Sequence, residues 1–73
     1  MFSKTEFLVR FGARVRERRE ARGFSQEVFA ERCDFDRTYI SGIERGKRNI
    51  SIASVKAIAL ALEISLSELL NDL

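Results

Sequence analysis

A chain of 73 residues has room for one small domain, since typical domains contain roughly 100 to 150 residues. The composition is 45% hydrophobic and 33% charged, with no Pro and four Gly, which excludes collagen-like, proline-rich and disordered classes. The single cysteine cannot form an internal disulfide, and the absence of His removes the commonest general base and metal ligand. We therefore expect a single domain over residues 1–73 that is not an enzyme, holds no metal or cofactor and senses no small-molecule effector.

The charges are unevenly distributed along the chain. Residues 1–50 contain twelve Lys and Arg against eight Asp and Glu, whereas residues 51–73 contain one Lys and three acidic residues. Six arginines lie between Arg10 and Arg22, and arginine suits bidentate recognition of phosphate or guanine. Nucleic acid is therefore the expected partner. The longest apolar stretch, which ends at Leu62, is far shorter than the roughly 18 residues of a membrane span, so we expect a cytoplasmic protein with no membrane contact.

Apolar residues recur at helical spacing along the chain, and no strand alternation is present. The pattern predicts an all-α fold in which five helices form one compact bundle. N-cap residues precede four of them, Ser25, Asp36, Ser51 and Ser65, and glycines follow the first and third helices. The predicted helices are Lys4 to Arg22, Gln26 to Arg32, a third helix from Asp36 to about Arg45, Ile52 to Leu62, and a short fifth helix after Ser65.

The C-terminal third, about residues 52–73, carries more apolar residues than a small core can bury. In the fourth helix one apolar stripe contains Ile52, Val55, Ala59 and Leu62, whereas Ile58 and Leu60 fall outside it. The fifth helix adds leucines at i, i+3, i+4 and i+7. We therefore predict a homodimer whose interface contains Ile58, Leu66, Leu69, Leu70 and Leu73.

The segment from Gln26 to Glu44 has the length and patterning of a helix-turn-helix, two short helices joined by a tight turn. Small and apolar residues surround the expected turn. In the first helix of this motif Val28, Phe29 and Cys33 are expected to point inward, and Cys33 is expected to be a buried core residue without a sensing role. A helix that presents guanidinium and hydroxyl groups near its N-terminus can enter a DNA major groove and read base edges. The second helix of this motif, which is the third of the chain, is the recognition helix. Its outward residues are Arg37, Thr38, Ser41 and Arg45.

An ordered series of residues at characteristic spacing extends over nearly the whole chain. It consists of Arg14-Val15-Arg16, Gly23-Phe24-Ser25-Gln26, Ala30, Ile40-Ser41-Gly42-Ile43-Glu44-Arg45-Gly46, Arg48-Asn49, Leu62-Glu63-Ile64-Ser65 and Glu68-Leu69-Leu70. This series resembles the phage-repressor and Cro-like (XRE-type) helix-turn-helix transcription regulators. The segment from Asp36 to Arg45 is most similar to the small controller proteins of restriction-modification systems.

The resemblance implies a role for individual residues. It implies that Gln26 binds a DNA phosphate and supports the recognition helix, and that Arg19 and Glu44 form a buried ion pair. It places Arg37, Thr38 and Tyr39 at base-contacting positions. We add Ser41 to the predicted base-contacting residues because it lies on the outward face of the same helix. The positions that in such proteins hold the DNA backbone are Ser25, Arg45, Lys47, Arg48 and Asn49.

The sequence departs from the family pattern at four positions. Asp34 stands at the turn position usually held by Gly, and Glu63 replaces the Gly expected after the fourth helix, whereas Ile50 replaces a frequent Pro. Gly42 is expected to leave the groove-facing middle of the recognition helix without a side chain, which would concentrate base reading in its first turn.

Several alternatives remain open from the sequence alone. Tyr39 can be a core anchor or a base reader, and Arg14, Arg16 and Arg18 can contact DNA or pair with neighbouring glutamates. The principal function predicted is a sequence-specific, homodimeric regulator that binds double-stranded DNA at a near-palindromic operator. The alternative is a protein-interaction module of the antitoxin type that uses the same fold.

Overall fold

The computed structural model describes residues 3–73, which form α-helices and contain no strand. Within this range the helices are α1 (Lys4–Ala21), α2 (Gln26–Cys33), α3 (Arg37–Glu44), α4 (Ile52–Leu62) and α5 (Leu66–Leu70). The predicted all-α class and the order of five helices are confirmed. Residues 1 and 2, which the predicted domain includes, lie outside the described range.

Serine side chains fix the start of most helices. Ser3, Ser25, Ser51 and Ser65 precede α1, α2, α4 and α5, and each hydroxyl oxygen accepts a hydrogen bond from the backbone N–H three residues later. Such a bond satisfies one of the unpaired donors at a helix start. Asp36 occupies the same position before α3, but its side chain makes no capping bond. Instead, its backbone carbonyl accepts hydrogen bonds from the N–H groups of Tyr39 and Ile40.

The helix ends use left-handed backbone conformations. Gly23 and Gly46 follow α1 and α3 with φ of 74° and 72°. Asp34 and Glu63 stand at the two positions where the family pattern has Gly, and their backbones are also left-handed, with φ of 61° and 59°. A residue with a Cβ pays roughly 1 kcal/mol or more for this conformation, and Asp tolerates it better than Glu does. Helix α2 therefore ends one residue beyond the predicted Arg32 and α4 ends at the predicted Leu62, both with local backbone strain at the residue that follows.

Every helix contributes to one core. The largest side chains that are fully buried are Phe11, Phe29, Ile40, Ile43, Ile58, Leu62, Leu69 and Val15. Cys33 is also buried, as predicted, and burial raises the pKa of its thiol to about 11. A thiol with this pKa stays protonated and unreactive near neutral pH, which fits a packing role.

The structure corrects three positions of the predicted core. Ile52, placed in the apolar stripe of α4, is 74% exposed because it lies in the first turn, beyond the edge of the core. Ile58, placed outside that stripe, is fully buried. Val28, expected to point inward, is 42% exposed. In α4 the buried face therefore runs through Val55, Ile58, Ala59 and Leu62, rotated from the prediction.

Helix α1 approaches the carboxyl end of α3 at Gly12. A Cβ at this glycine would lie 2.8 Å from the carbonyl oxygen of Glu44 and closer still to that of Ile43. Both obstacles are backbone atoms, which cannot rotate away as a flexible side chain can. Glycine is therefore required here for the close contact of two helices, although it lowers the helical propensity of α1 by about 1 kcal/mol relative to Ala.

The packing separates the second helix of the motif from the C-terminal helix. Helix α3 packs against α1 and α2, whereas α5 packs against α1 and α4. The side of α3 that faces away from α1 and α2 is therefore available to a ligand, and α1 links the two regions.

Candidate nucleic-acid interface

Helices α2 and α3 form the predicted helix-turn-helix. The turn between them is closed by a 2.8 Å hydrogen bond from the N–H of Phe35 to the carbonyl oxygen of Ala30. Ala30 is 3% exposed, so its small side chain is part of the core beside this turn. The ring of Phe35 packs edge-on against Tyr39 with centroids 4.9 Å apart. This packing fixes the angle between the helices and thereby the direction in which α3 presents its outer face.

The four residues predicted to contact bases differ in exposure. Arg37 and Thr38 are exposed in the first turn of α3, and Tyr39 and Ser41 are half-buried. A guanidinium and a hydroxyl group at the start of a helix are the groups that reach base edges when that end enters the major groove. The structure thus places the most accessible polar side chains at the N-terminal end of α3.

Tyr39 takes part in packing on two sides. Its ring contacts Phe35 on one side, and the guanidinium of Arg48 lies 4.8 Å from its centroid. A cation over an aromatic face contributes about 0.5 to 1 kcal/mol at an exposed site. Tyr39 therefore anchors both the turn and the side chain of Arg48, and its half-exposed ring remains accessible.

Gly42 does not leave an empty place on the outer face of α3, which corrects the prediction. It is buried, and a Cβ there would lie 2.8 Å from the Cγ atom of Arg48. The aliphatic part of Arg48 occupies the space that a larger residue would take. The loop after α3 thus supplies a cation to the middle of the recognition helix, a contribution that no helical spacing in the sequence could indicate.

The ion pair between Arg19 and Glu44 is present and nearly buried. Arg19 Nε lies 2.7 Å from Glu44 Oε2 and Arg19 Nη2 lies 3.1 Å from Glu44 Oε1, with side-chain exposures of 10% and 3%. The third donor, Nη1, binds the carbonyl oxygen of Phe24 at 2.8 Å. The hydrogen bond to Glu44 raises the pKa of Arg19, against the opposing effect of burial. Because the charges are paired and hydrogen-bonded, they rigidly join α1 to the end of α3.

Gln26 connects this ion pair to the exposed end of α3. Its Nε2 donates a 3.1 Å hydrogen bond to Glu44 Oε1, and its Oε1 accepts a 3.2 Å hydrogen bond from Arg37 Nη1. The carboxylate accepts only, so it fixes which end of the amide faces Arg37. Arg37 is therefore oriented, through Gln26, by a buried charge.

The residues predicted to contact the DNA backbone surround α3. Ser25, Arg45, Lys47, Arg48 and Asn49 are exposed, and Gln26 is half-buried. The hydroxyl of Ser25 already accepts the N–H of Val28, and Arg45 Nε donates to the carbonyl oxygen of Ser41 at a long 3.4 Å. Arg45, Lys47 and Arg48 follow the carboxyl end of α3, and the side chain of Arg48 reaches back to Gly42, so these cations flank the recognition helix, where they can meet phosphates.

Several arginines in and just after α1 have protein partners. Arg16 pairs with Glu20 one turn later, and Arg14 donates to backbone carbonyls of the C-terminal segment. Arg22 donates to the carbonyl oxygen of Leu62 at the end of α4. For Arg14 this geometry favours an internal role over contact with DNA.

The residues predicted to form the dimer interface do not all reach the surface. Ile58 and Leu69 are fully buried in the core of the protomer, which corrects their assignment, because a buried side chain offers no area to a partner. The other predicted leucines, Leu66, Leu70 and Leu73, are half-buried.

Two exposed apolar residues of α4 were missed by the sequence analysis of the interface. They are Ile52 and Leu60, exposed by 74% and 64%. Ile52 and Leu70 line a largely apolar depression of about 280 Å³, together with Phe7, Leu8, Ile50 and Val55. The sequence did contain a signal for Leu60, because this residue falls outside the apolar stripe of the fourth helix and was therefore a candidate for exposure.

The described part of the chain offers few sites for other chemistry. Residues 3–73 contain no group of three or more His, Cys, Asp or Glu side chains placed to hold a metal ion. No helix in this range has the length and hydropathy needed to cross a membrane.

Comparison with known proteins gives consistent matches. The family model described as "Helix-turn-helix" matches residues 15–69. The control protein C.MunI from Mycoplasma is 47% identical over 66 residues, covering 89% of this chain and 89% of the relative. The control protein C.BamHI from Bacillus amyloliquefaciens is 45% identical, covering 84% of this chain and 76% of the relative.

Two solved structures of controller proteins resemble the protein closely. The restriction-modification controller protein C.AhdI from Aeromonas hydrophila has a TM-score of 0.83 at 48% identity, covering 85% of this chain and 94% of that one. The controller protein C.Esp1396I, solved as a tetramer in complex with its natural 35 base-pair operator, has a TM-score of 0.80 at 39% identity. That match covers 88% of each chain.

Proposed function

The chain belongs to the helix-turn-helix family, and we propose that it is a sequence-specific transcription regulator that binds double-stranded DNA as a homodimer. Similarity to controller proteins of restriction-modification systems supports the same role here, on a near-palindromic operator. The proposal treats residues 1–73 as a single unit that works in the cytoplasm, where its DNA lies. It assigns the unit no enzymatic activity and no small-molecule effector.

The observation that carries the proposal is the orientation of Arg37. Its guanidinium is exposed at the first turn of α3 and is held, through Gln26, by the buried carboxylate of Glu44. A side chain fixed in this way loses less entropy when it forms the paired hydrogen bonds that guanine offers. We assign base reading to Arg37, Thr38, Tyr39 and Ser41, and phosphate binding to Ser25, Gln26, Arg45, Lys47, Arg48 and Asn49.

The proposed dimer uses the C-terminal third. Exposed Ile52 and Leu60 on α4 and half-buried Leu66, Leu70 and Leu73 supply apolar area for a second copy. A two-fold axis there would leave α3 of each subunit free, and the two recognition helices would meet successive major grooves roughly 34 Å apart. Ile58 and Leu69 support this surface from within the core.

The same apolar surface favours a second candidate function. Ile52 and Leu60 could bind a different protein, with DNA binding secondary, as in an antitoxin-type module. The candidates differ in whether the purified chain binds DNA tightly by itself, and in whether a neighbouring gene encodes its protein partner.

Selection of bound duplexes from a random DNA pool tests the proposal. Wild-type protein should enrich a near-palindrome, Arg37→Ala should lose preference at one position in each half-site, and Gln26→Ala should weaken binding to all sequences similarly. Enrichment of no sequence by the wild type would refute specific DNA binding and favour the protein-interaction candidate. Enrichment of a single site without two-fold symmetry would refute the proposed dimer alone.

A further inference from the structure

Arg14 connects α1 to the carboxyl end of α5 through both terminal nitrogens of its guanidinium group. Nη1 donates to the carbonyl oxygens of Glu68 and Leu69 at 3.2 and 3.0 Å, and Nη2 donates to that of Asn71 at 2.8 Å. The remaining nitrogen, Nε, lies 3.8 Å from Glu17 Oε1. The side chain is 20% exposed.

Helix α5 depends on contacts of this kind because it has only five residues. Isolated helices shorter than about 12 residues are marginal in water, so a single turn needs tertiary support. Its N-terminus has a capping box between Ser65 and Glu68, but no glycine ends it. Its carboxyl end leads instead into Asp72, a residue with a Cβ at φ of 62°.

The carbonyls that remain unpaired at the end of a helix need donors, and a cation there also interacts favourably with the helix dipole. Arg14 supplies both, and Arg10 Nη2 adds a 3.2 Å hydrogen bond to the carbonyl oxygen of Asp72. The side chain of Leu69 is fully buried, and Leu66 and Leu70 pack partly against the same core. Apolar contacts are not directional, so they leave a single helical turn some freedom to rotate, whereas the directed hydrogen bonds from Arg14 fix its orientation.

We propose that Arg14 is a positioning residue for the subunit interface: by clamping the carboxyl end of α5 it fixes the orientation in which Leu66 and Leu70 meet a second copy of the chain. The inference rests on the proposed dimer through the C-terminal third. Arg14 then increases affinity for the operator without touching DNA, because it strengthens the dimer that engages both half-sites.

The test compares Arg14→Met with Arg16→Met. Both replace an arginine of α1 by an unbranched apolar residue and remove one charge, but Arg16 is exposed and, among the described residues, pairs only with Glu20 one turn away. Sedimentation equilibrium of the full chain gives the dimer dissociation constant. Arg14→Met should raise this constant at least about tenfold, because it removes three charge-assisted hydrogen bonds, whereas Arg16→Met should stay within about twofold of the wild type.

Binding to two duplexes separates positioning from direct contact with DNA. The first duplex carries the complete site that the wild type selects, and the second carries one half of it. Arg14→Met should bind the complete site at least about tenfold more weakly and the half-site as tightly as the wild type does. Parallel losses on both duplexes would overturn the proposal, since they indicate that Arg14 contacts DNA or maintains the whole domain.

Arg14→Lys is a second variant that can be measured if Arg14→Met does not fold. A lysine keeps the charge but cannot reach carbonyls from Glu68 to Asn71 together, so the dimer constant should still rise several-fold. An unchanged constant in both Arg14 variants would overturn the positioning role even if Leu70→Glu abolishes the dimer. A wild type that is monomeric with and without its selected DNA, or dimers insensitive to Leu70→Glu, would instead refute the proposed dimer itself.

Discussion

Two arginine-rich regions of the molecule differ in what their guanidinium groups bind. In α1 and at the residue that follows it, the side chains of Arg14, Arg19 and Arg22 donate to carbonyls and carboxylates of the protein itself. Around α3, those of Arg37 and Arg45 are exposed, and within the described residues each donates one hydrogen bond, at 3.2 and 3.4 Å. The same residue type therefore joins helices in one region and is available to an external anion in the other. Charge density alone does not distinguish the two uses, because the difference lies in which acceptors the fold brings within reach.

The largest effect is expected from the buried ion pair. Arg19→Met or Glu44→Leu should each destabilise the fold by roughly 3 to 5 kcal/mol, because the remaining charge stays buried without its partner. The double variant should lose much less than the sum of the two single losses. Urea unfolding of the four proteins in a double-mutant cycle measures the coupling, and additive losses would reject it.

The contact at Gly12 should be the next most sensitive. Gly12→Ala places a Cβ against the carbonyl oxygens of Ile43 and Glu44, and separating the helices would also strain the ion pair. We expect a loss of about 1 to 3 kcal/mol in spite of the better helical propensity of Ala. Ala13, exposed on the same helix, offers the control: Ala13→Gly should cost only about 1 kcal/mol. A Gly12→Ala variant more stable than the wild type would show that α1 and α3 do not meet so closely.

Measurements of DNA affinity test whether the two groups of arginines differ in function. Arg45→Ala should weaken binding to every sequence several-fold. It should also reduce the slope of log affinity against log salt concentration by about one, the value of one phosphate contact, whereas Arg16→Ala should change neither quantity. Affinities measured at several salt concentrations give both quantities. If Arg16→Ala lowered affinity and salt slope as much as Arg45→Ala, α1 would belong to the DNA-binding surface.

The smallest effect concerns how Arg22 holds the end of α4. Arg22 donates to the carbonyl oxygen of Leu62 and also pairs with the exposed carboxylate of Glu63, whose backbone is left-handed. Glu63→Gly should stabilise the protein by about 0.5 to 1 kcal/mol, since relieving the backbone strain outweighs an exposed ion pair. Thermal unfolding measures the change. A loss of stability would mean that the carboxylate, rather than the carbonyl, is the important partner of Arg22.

The helix boundaries could be predicted because local signals define them. Ser25, Ser51 and Ser65 cap helices through their own side chains, and Gly23 supplies a left-handed turn. Such signals depend on a few neighbouring residues, so the sequence displays them directly. The buried face of α4 was less predictable: Ile52 and Ile58 both fit an apolar pattern, and only the position of the core decides which one is covered.

The functions of individual arginines could not be predicted from their spacing. Arg14 binds backbone carbonyls more than fifty residues away, and carbonyls are present at every residue, so no side-chain pattern marks them. The position of Arg48 over Gly42 and Tyr39 likewise depends on the path of a loop. In contrast, the pair of Arg19 with Glu44 followed from the family resemblance, and the structure contains it.

The most direct test of the division between the two regions is to follow the arginine Nε–H resonances by NMR while the selected operator duplex is added. We expect the resonances of Arg37, Arg45 and Arg48 to shift on binding, while those of Arg14, Arg19 and Arg22 keep their positions apart from small changes. Shifts of Arg14, Arg19 or Arg22 as large as those around α3, or an unchanged Arg37, would contradict this division.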